Sequence, residues 1–198
     1  FNESRIGVTL YRPFSKSWIY YDRIFNEYYK EKLFPTATKG TLCISTTGVG
    51  AQQDFSCLIL DSIPDVQLLS NCQCFPLYFY EKAKLSKGQS DIFSSNGESD
   101  GFVCRDGITD DSLAAFRSST FDPSIAKEDI FYYVYGVFHS QDYRERFADT
   151  LGKELPRIPH AKTAKDFWAF SQAGRKLADL HLNYETAALY PINIKAES

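Results

Sequence analysis

The chain has 198 residues and sets 22 Lys and Arg against 25 Asp and Glu, a net charge of −3, with a sequence pI of about 5.6. That length suffices for one domain with a substantial core. The acidic balance excludes a protein that holds nucleic acid by bulk positive charge alone. Contact with nucleic acid would need basic residues gathered on one face, base contacts, or a positive channel in a larger protein.

The chain starts at Phe1 and contains no Met, which points to an excised fragment. It carries 16 Phe and 13 Tyr, most of which are expected in a large aromatic core.

In chain order the first half reads as β. Ile6–Tyr11 predicts a strand ended by Arg12-Pro13, and Ser17–Tyr21 is a short aromatic run before Asp22. Thr41–Thr47 predicts a strand with Leu42, Ile44 and Thr46 on one face. Phe55–Asp61 is nearly all apolar, the pattern of a central strand covered on both faces. Gly48-Val49-Gly50 lies in the connection between those two strands. Gln67–Leu69 and Cys72–Tyr80 predict further strands, Pro76 demoting part of the latter to an edge or bulge. Lys82–Gly101 is rich in Ser, Lys and Gly, has no apolar period, and reads as a mobile loop or an insertion.

The second half reads as α. Asp110 or Asp111 caps a short helix to about Ser118. Lys127–Ser140 places Ile130, Tyr133, Val134, Val137 and Phe138 at helical spacing. Gln141–Leu151 repeats the pattern, with Gly152 as the natural residue just past its end. The turn Pro156-Arg157-Ile158-Pro159 follows. Thr163 caps a long helix to about His181, with Phe167, Phe170, Gly174, Leu177 and Ala178 as its buried stripe. Strands first and helices later predict an α+β fold, a mixed β-sheet in the N-terminal half packed with a C-terminal helical part. One domain is expected over 1–186, β-rich over 1–105 and helical over 109–186, with a tail at 187–198.

Catalytic motifs are missing. Gly48-Val49-Gly50-Ala51 lacks the Gly-Lys of a phosphate-binding loop, and Gln53 breaks the GxGxxG pattern. The chain has no Pro-Pro pair, which an amino-methyltransferase loop uses to hold its target amine. No Asp or Glu has Lys two residues later, so Pro64-Asp65 lacks the second half of a nuclease signature. No GxSxG elbow supports a hydrolase, and His139, His160 and His181 do not cluster with the cysteines in sequence. The five Cys form no CxxC pair and read as buried free thiols of a reducing cytosol. No metal or cofactor site is expected. No signal peptide is evident, and the apolar runs fall short of the ~20 residues of a membrane span.

Four blocks carry a resemblance. They are Tyr11-Arg12-Pro13-Phe14 with Trp18–Arg23, then Thr47–Gly50 with Phe55-Ser56 and Ile63-Pro64-Asp65, then Gln73–Tyr78. The fourth joins Phe131–Pro159 to Phe167–Phe170 and Gly174–His181. In this order, over nearly the whole chain, they resemble the C-terminal specificity domain of Type ISP restriction-modification enzymes. These are bacterial, cytoplasmic, single-polypeptide, ATP-driven enzymes. The resemblance implies a target recognition domain that reads duplex DNA. It also implies that a nuclease, a helicase-like translocase and an adenine-N6 methyltransferase lie upstream. The fragment itself would be non-catalytic, and its partners would be double-stranded DNA and the upstream methyltransferase and translocase domains.

Gln pairs with adenine and Arg or Lys with guanine, while hydroxyls and backbone amides mostly hold phosphates. On that chemistry the candidate DNA contacts are Thr46, Thr47, Gly48, Gly50, Gln52 and Gln53 around the glycine turn. Lys82, Lys84 and Lys87 at the start of the polar loop join them, as do Arg157 and His160 on the Pro-fixed turn. The plainer readings are a solvated turn for the glutamines, ordinary strand residues for the threonines and solvated surface for the lysines. Arg12, Lys16 and Arg23 could pair with carboxylates such as Asp22, and Arg144 and Arg146 read as ion-paired surface beside Asp142 and Glu145. Arg175 and Lys176 could face the methyltransferase. The rival reading is a protein-interaction module that docks through its aromatic helices and would expose a contiguous apolar patch.

Overall fold

The computed structural model describes residues 1–83, 101–188 and 191. β1 (Ile6–Arg12) and β2 (Ser15–Tyr20) form an antiparallel hairpin, and β5 (Ile63–Pro64) pairs parallel to β1. β3 (Cys43–Thr46) lies between β4 (Cys57–Leu60) and β6 (Gln73–Pro76), antiparallel to both. β7 (Tyr78–Lys82) and β8 (Phe102–Asp106) make a second hairpin. The helices follow: α1 (Asp110–Thr120), α2 (Lys127–His139), α3 (Gln141–Arg146), α4 (Ala148–Leu151) and α5 (Ala164–Leu182). The arrangement is α+β, with sheets in the N-terminal half and helices in the C-terminal part.

The β4-β3-β6 sheet is the wall between two cores. Side chains alternate across a strand, so Ile44, Cys57 and Ile59 face the helices, where Tyr133, Tyr135 and Phe167 are buried. Their neighbours Cys43, Leu58 and Leu60 face the other way, into a core with Leu10, Tyr21 and Phe34. All four residues of β4 are buried, which is why its sequence is apolar without alternation.

Thr109 and Thr163 cap α1 and α5 by accepting the amides of Ser112 and Asp166. At the start of α2, Asp129 accepts the Ala126 amide at 2.8 Å. α2 and α5 cross where each has a glycine. A Cβ on Gly174 would stand 2.0 Å from the Tyr132 carbonyl oxygen, and one on Gly136 would stand 2.3 Å from that of Phe170. Glycine is disfavoured inside a helix, and here it is required by backbone-to-backbone contact. Ser171 donates to the Asp129 carbonyl at 2.9 Å, and Arg175 bridges Glu128 and Asp129 while lying 4.3 Å from the Tyr132 ring centre.

Several elements differ from the sequence expectation. Gln67–Leu69 is a turn: Asp65 accepts the Gln67 amide on its side chain and the Leu68 amide on its carbonyl, and Leu68 and Leu69 are buried from there. The Cys72–Tyr80 run divides at buried Leu77, where the chain leaves β3 and takes β8 as partner. β8 was not legible, and Lys82 belongs to β7 rather than to a loop. Most of the Lys82–Gly101 stretch, with Lys84 and Lys87, lies outside the described residues. Gln141–Leu151 keeps its period but breaks at Phe147, and Gly152 is right-handed (φ −85°, ψ −10°) rather than left-handed. Among the cysteines only Cys43 and Cys57 are buried; Cys72 and Cys74 are half-buried and Cys104 is exposed.

Candidate nucleic-acid interface

The β3–β4 connection is built by short-range hydrogen bonds. Thr47 donates its amide to the Ser56 carbonyl at 3.0 Å, and its Oγ1 accepts the Ser56 amide at 3.2 Å. Gly48 donates to the Ser70 carbonyl at 3.1 Å. A Cβ at position 48 would meet the Asn71 carbonyl oxygen at 2.1 Å, so only glycine fits against that turn. Ser70 and Asn71 both take left-handed φ angles, 54° and 53°, to bring the turn there. Gly50 has φ 77° with open space beside it, so its need for glycine is conformational. Its amide donates to the Gly152 carbonyl at 3.0 Å, tying the β3–β4 loop to the end of α4.

Gln52 and Gln53 follow on the exposed side of this anchored turn. Gly152, at the other end of the tie, opens the segment that leads to Arg157. That segment is held from beneath: Tyr143 donates to the Arg157 carbonyl at 3.0 Å and Tyr133 to the Pro159 carbonyl at 2.7 Å. The Arg157 side chain is exposed and reaches Glu154 at 2.9 Å. The structure thus exposes Gly50, Gln52, Gln53 and Arg157 and ties the loop of the first three to Gly152.

The other candidates fall elsewhere. Thr46 is fully buried and Thr47 nearly so, with Thr46 Oγ1 lacking a hydrogen-bond partner among the described residues. Lys82 is on β7, 3.0 Å from Glu31. His160 stacks on Phe116 at 4.3 Å, at the edge of an apolar groove of about 610 Å³ between α1, α2 and β6. Among the accessory arginines and lysines, Lys16 reaches Glu185 at 2.6 Å, and Asp22 pairs with Arg5. Arg144 donates to the Phe138 carbonyl at 2.7 Å, and among the described residues it lacks the ion pair expected of it.

A polar cluster invisible in the sequence lies between α2, β4 and α5. Cys57 Sγ is 3.3 Å from His139 Nε2, and Arg144 approaches the same sulfur at 3.9 Å. The Tyr135 hydroxyl accepts the Ile59 amide at 3.1 Å and meets His181 Nδ1 at 2.5 Å. Burial pushes the Cys57 thiol up to about 12, and burial, then the charges of Arg144 and His181, push His139 down to about 4. A reactive cysteine needs the thiolate, and these shifts hold the pair as thiol and neutral imidazole. Among the described residues no group of three or more His, Cys, Asp or Glu is placed to hold a metal ion. None of the described helices is long and apolar enough to cross a membrane.

The fold is an α+β domain that exposes hydrogen-bonding side chains on a pinned loop between two strands of a sheet buried on both faces. Residues 1–198 match the family model described as the Type ISP C-terminal specificity domain, and the chain belongs to that family. A solved DrdV–DNA complex is 34% identical over 96% of this chain, with a TM-score of 0.80. The ATP-dependent Type ISP restriction-modification enzyme LlaBIII bound to DNA is 31% identical over 96%, with a TM-score of 0.77. A nuclease-deletion mutant of the Type ISP enzyme LlaGI, in complex with a DNA substrate mimic, is 33% identical over 96%, with a TM-score of 0.71. The chain spans 17, 12 and 15% of those three chains, respectively. A search of the curated proteins gave no match.

Proposed function

We propose that this chain is the DNA target recognition domain of a bacterial, cytoplasmic Type ISP restriction-modification enzyme. It reads a duplex site, while a nuclease, a helicase-like translocase and an adenine-N6 methyltransferase on the same polypeptide act on the DNA. The domain itself is non-catalytic and needs no cofactor. The observation that carries the reading is the exposed loop: Gln52 and Gln53, with adenine-reading chemistry, follow a turn fixed by the Gly50–Gly152 bond. The relatives bound to DNA, at 31–34% identity, support the same partner. Cys57, buried and held protonated beside a half-buried, neutral His139, is not poised as a nucleophile, in keeping with a non-catalytic role. The net charge of −3 fits a division of labour in which the neighbouring domains supply much of the phosphate contact.

The test uses the full-length polypeptide with a specific and a random duplex at several salt concentrations. Gln52→Ala and Gln53→Ala together should erode discrimination by about 1–3 kcal/mol for each base that is no longer read, with little change in non-specific affinity. An unchanged ratio of specific to random binding would remove these residues from the reading surface.

A further inference from the structure

The β1–β2 hairpin and the segment after it leave large apolar side chains uncovered. Trp18 is 75% exposed, Phe25 74%, Tyr28 64% and Tyr11 51%. These four line one shallow depression of about 400 Å³. The patch continues past it, because Phe25 meets Tyr20 edge-on at 5.8 Å and Phe1 stacks on Tyr20 at 5.5 Å. Scattered exposed apolar residues are ordinary, whereas a contiguous aromatic patch marks an interaction surface. Tyr and Trp are the side chains that interfaces favour, with an apolar body and a polar tip.

We infer that this aromatic face docks the preceding part of the same polypeptide. The family is a C-terminal specificity domain, and the matched unit makes up 12–17% of the solved chains, so in such proteins most of the polypeptide lies ahead of the domain. It arrives through the first residues, and Phe1 is itself part of the patch. A covalently attached partner is present at high effective concentration, so a patch of this modest extent can hold it. Charge favours protein over DNA. Glu27 and Asp65 line the depression and Arg12 lies over Tyr11, a rim of mixed sign, whereas a phosphate backbone selects one-signed positive charge. The inference rests on family membership and on this face, not on which residues read DNA.

Hydroxyl-radical footprinting of the full-length polypeptide without DNA tests it. Trp18, Phe25 and Tyr28 are expected to oxidise severalfold more slowly than in the same polypeptide denatured in urea, as buried Phe167 will. Oxidation at the denatured rate overturns the inference. So does protection that appears only with duplex present, which would make the face a DNA surface. Protection that vanishes when dilution leaves a monomer would assign it to a second copy and also overturns it. The double variant Trp18→Ser, Phe25→Ser is expected to raise protease cleavage just ahead of residue 1 severalfold, and unchanged cleavage counts against docking. Failure of the Gln52 and Gln53 experiment would leave these outcomes untouched, since none of them depends on which residues read the bases.

Discussion

Thr46 has a hydroxyl of the kind that holds phosphates, but the fold puts it inside, with Oγ1 unpartnered among the described residues. An unpaired buried hydroxyl destabilises by about 1–3 kcal/mol, and valine keeps the shape without the polar atom. Thr46→Val is therefore expected to raise the urea midpoint by an amount equivalent to about 1 kcal/mol and to leave DNA discrimination unaltered. A drop in discrimination at unchanged stability would return Thr46 to the contact surface. His139 gives a pH prediction. Its folded value is depressed from 6.5 to about 4, so between those values the unfolded chain binds a proton that the folded chain does not. Its contribution to stability is complete above 6.5 and declines as pH falls toward 4. Urea unfolding at neutral pH and at a pH between the two values should show that decline, and His139→Gln should lessen it. Neither residue's environment was legible beforehand, because burial depends on what crosses over the strand or helix.

At the scale of elements, amphipathic period was the dependable signal. α2 and α5 fall close to where their apolar stripes and Thr163 predicted them. Turns that change direction within an apolar run were not legible. Gln67–Leu69 buries its leucines from a turn, and Leu77 passes the chain from β3 to β8, because apolar residues satisfy a core equally well from either backbone shape. Gly174 was placed correctly on the buried stripe, but the reason for a glycine there emerges only from the Tyr132 carbonyl 2.0 Å from its missing Cβ. Gly174→Ala should force α2 and α5 apart and destabilise by about 1–3 kcal/mol, despite alanine's better helix propensity. Thermal unfolding measures it, and a raised midpoint would show that the crossing has slack.

For the whole molecule, the central sheet faces two cores, so neither core is complete without it. Ile59 and Leu60 are adjacent in sequence and buried on opposite sides. Ile59→Ala and Leu60→Ala should each cost about 2–5 kcal/mol and shift one common unfolding transition, since loss of either side strips the wall from the other. Hydrogen exchange in α2 and in β1 should then report the same opening free energy. Two separate transitions would show that the β-rich and helical parts unfold independently.

The sequence by itself determined the succession of a β-rich half and a helical half, the lack of the catalytic motifs sought, and the ordered blocks that mark the family, because these depend on residue type and spacing. Tertiary structure decided which of the candidate residues are displayed. Exposure arises from contacts between distant segments. The Gly50 amide must find the Gly152 carbonyl for the loop of Gln52 and Gln53 to be pinned to the end of α4. Packing on both sides of β3 takes Thr46 from the surface, while the described residues leave Trp18 and Phe25 largely uncovered.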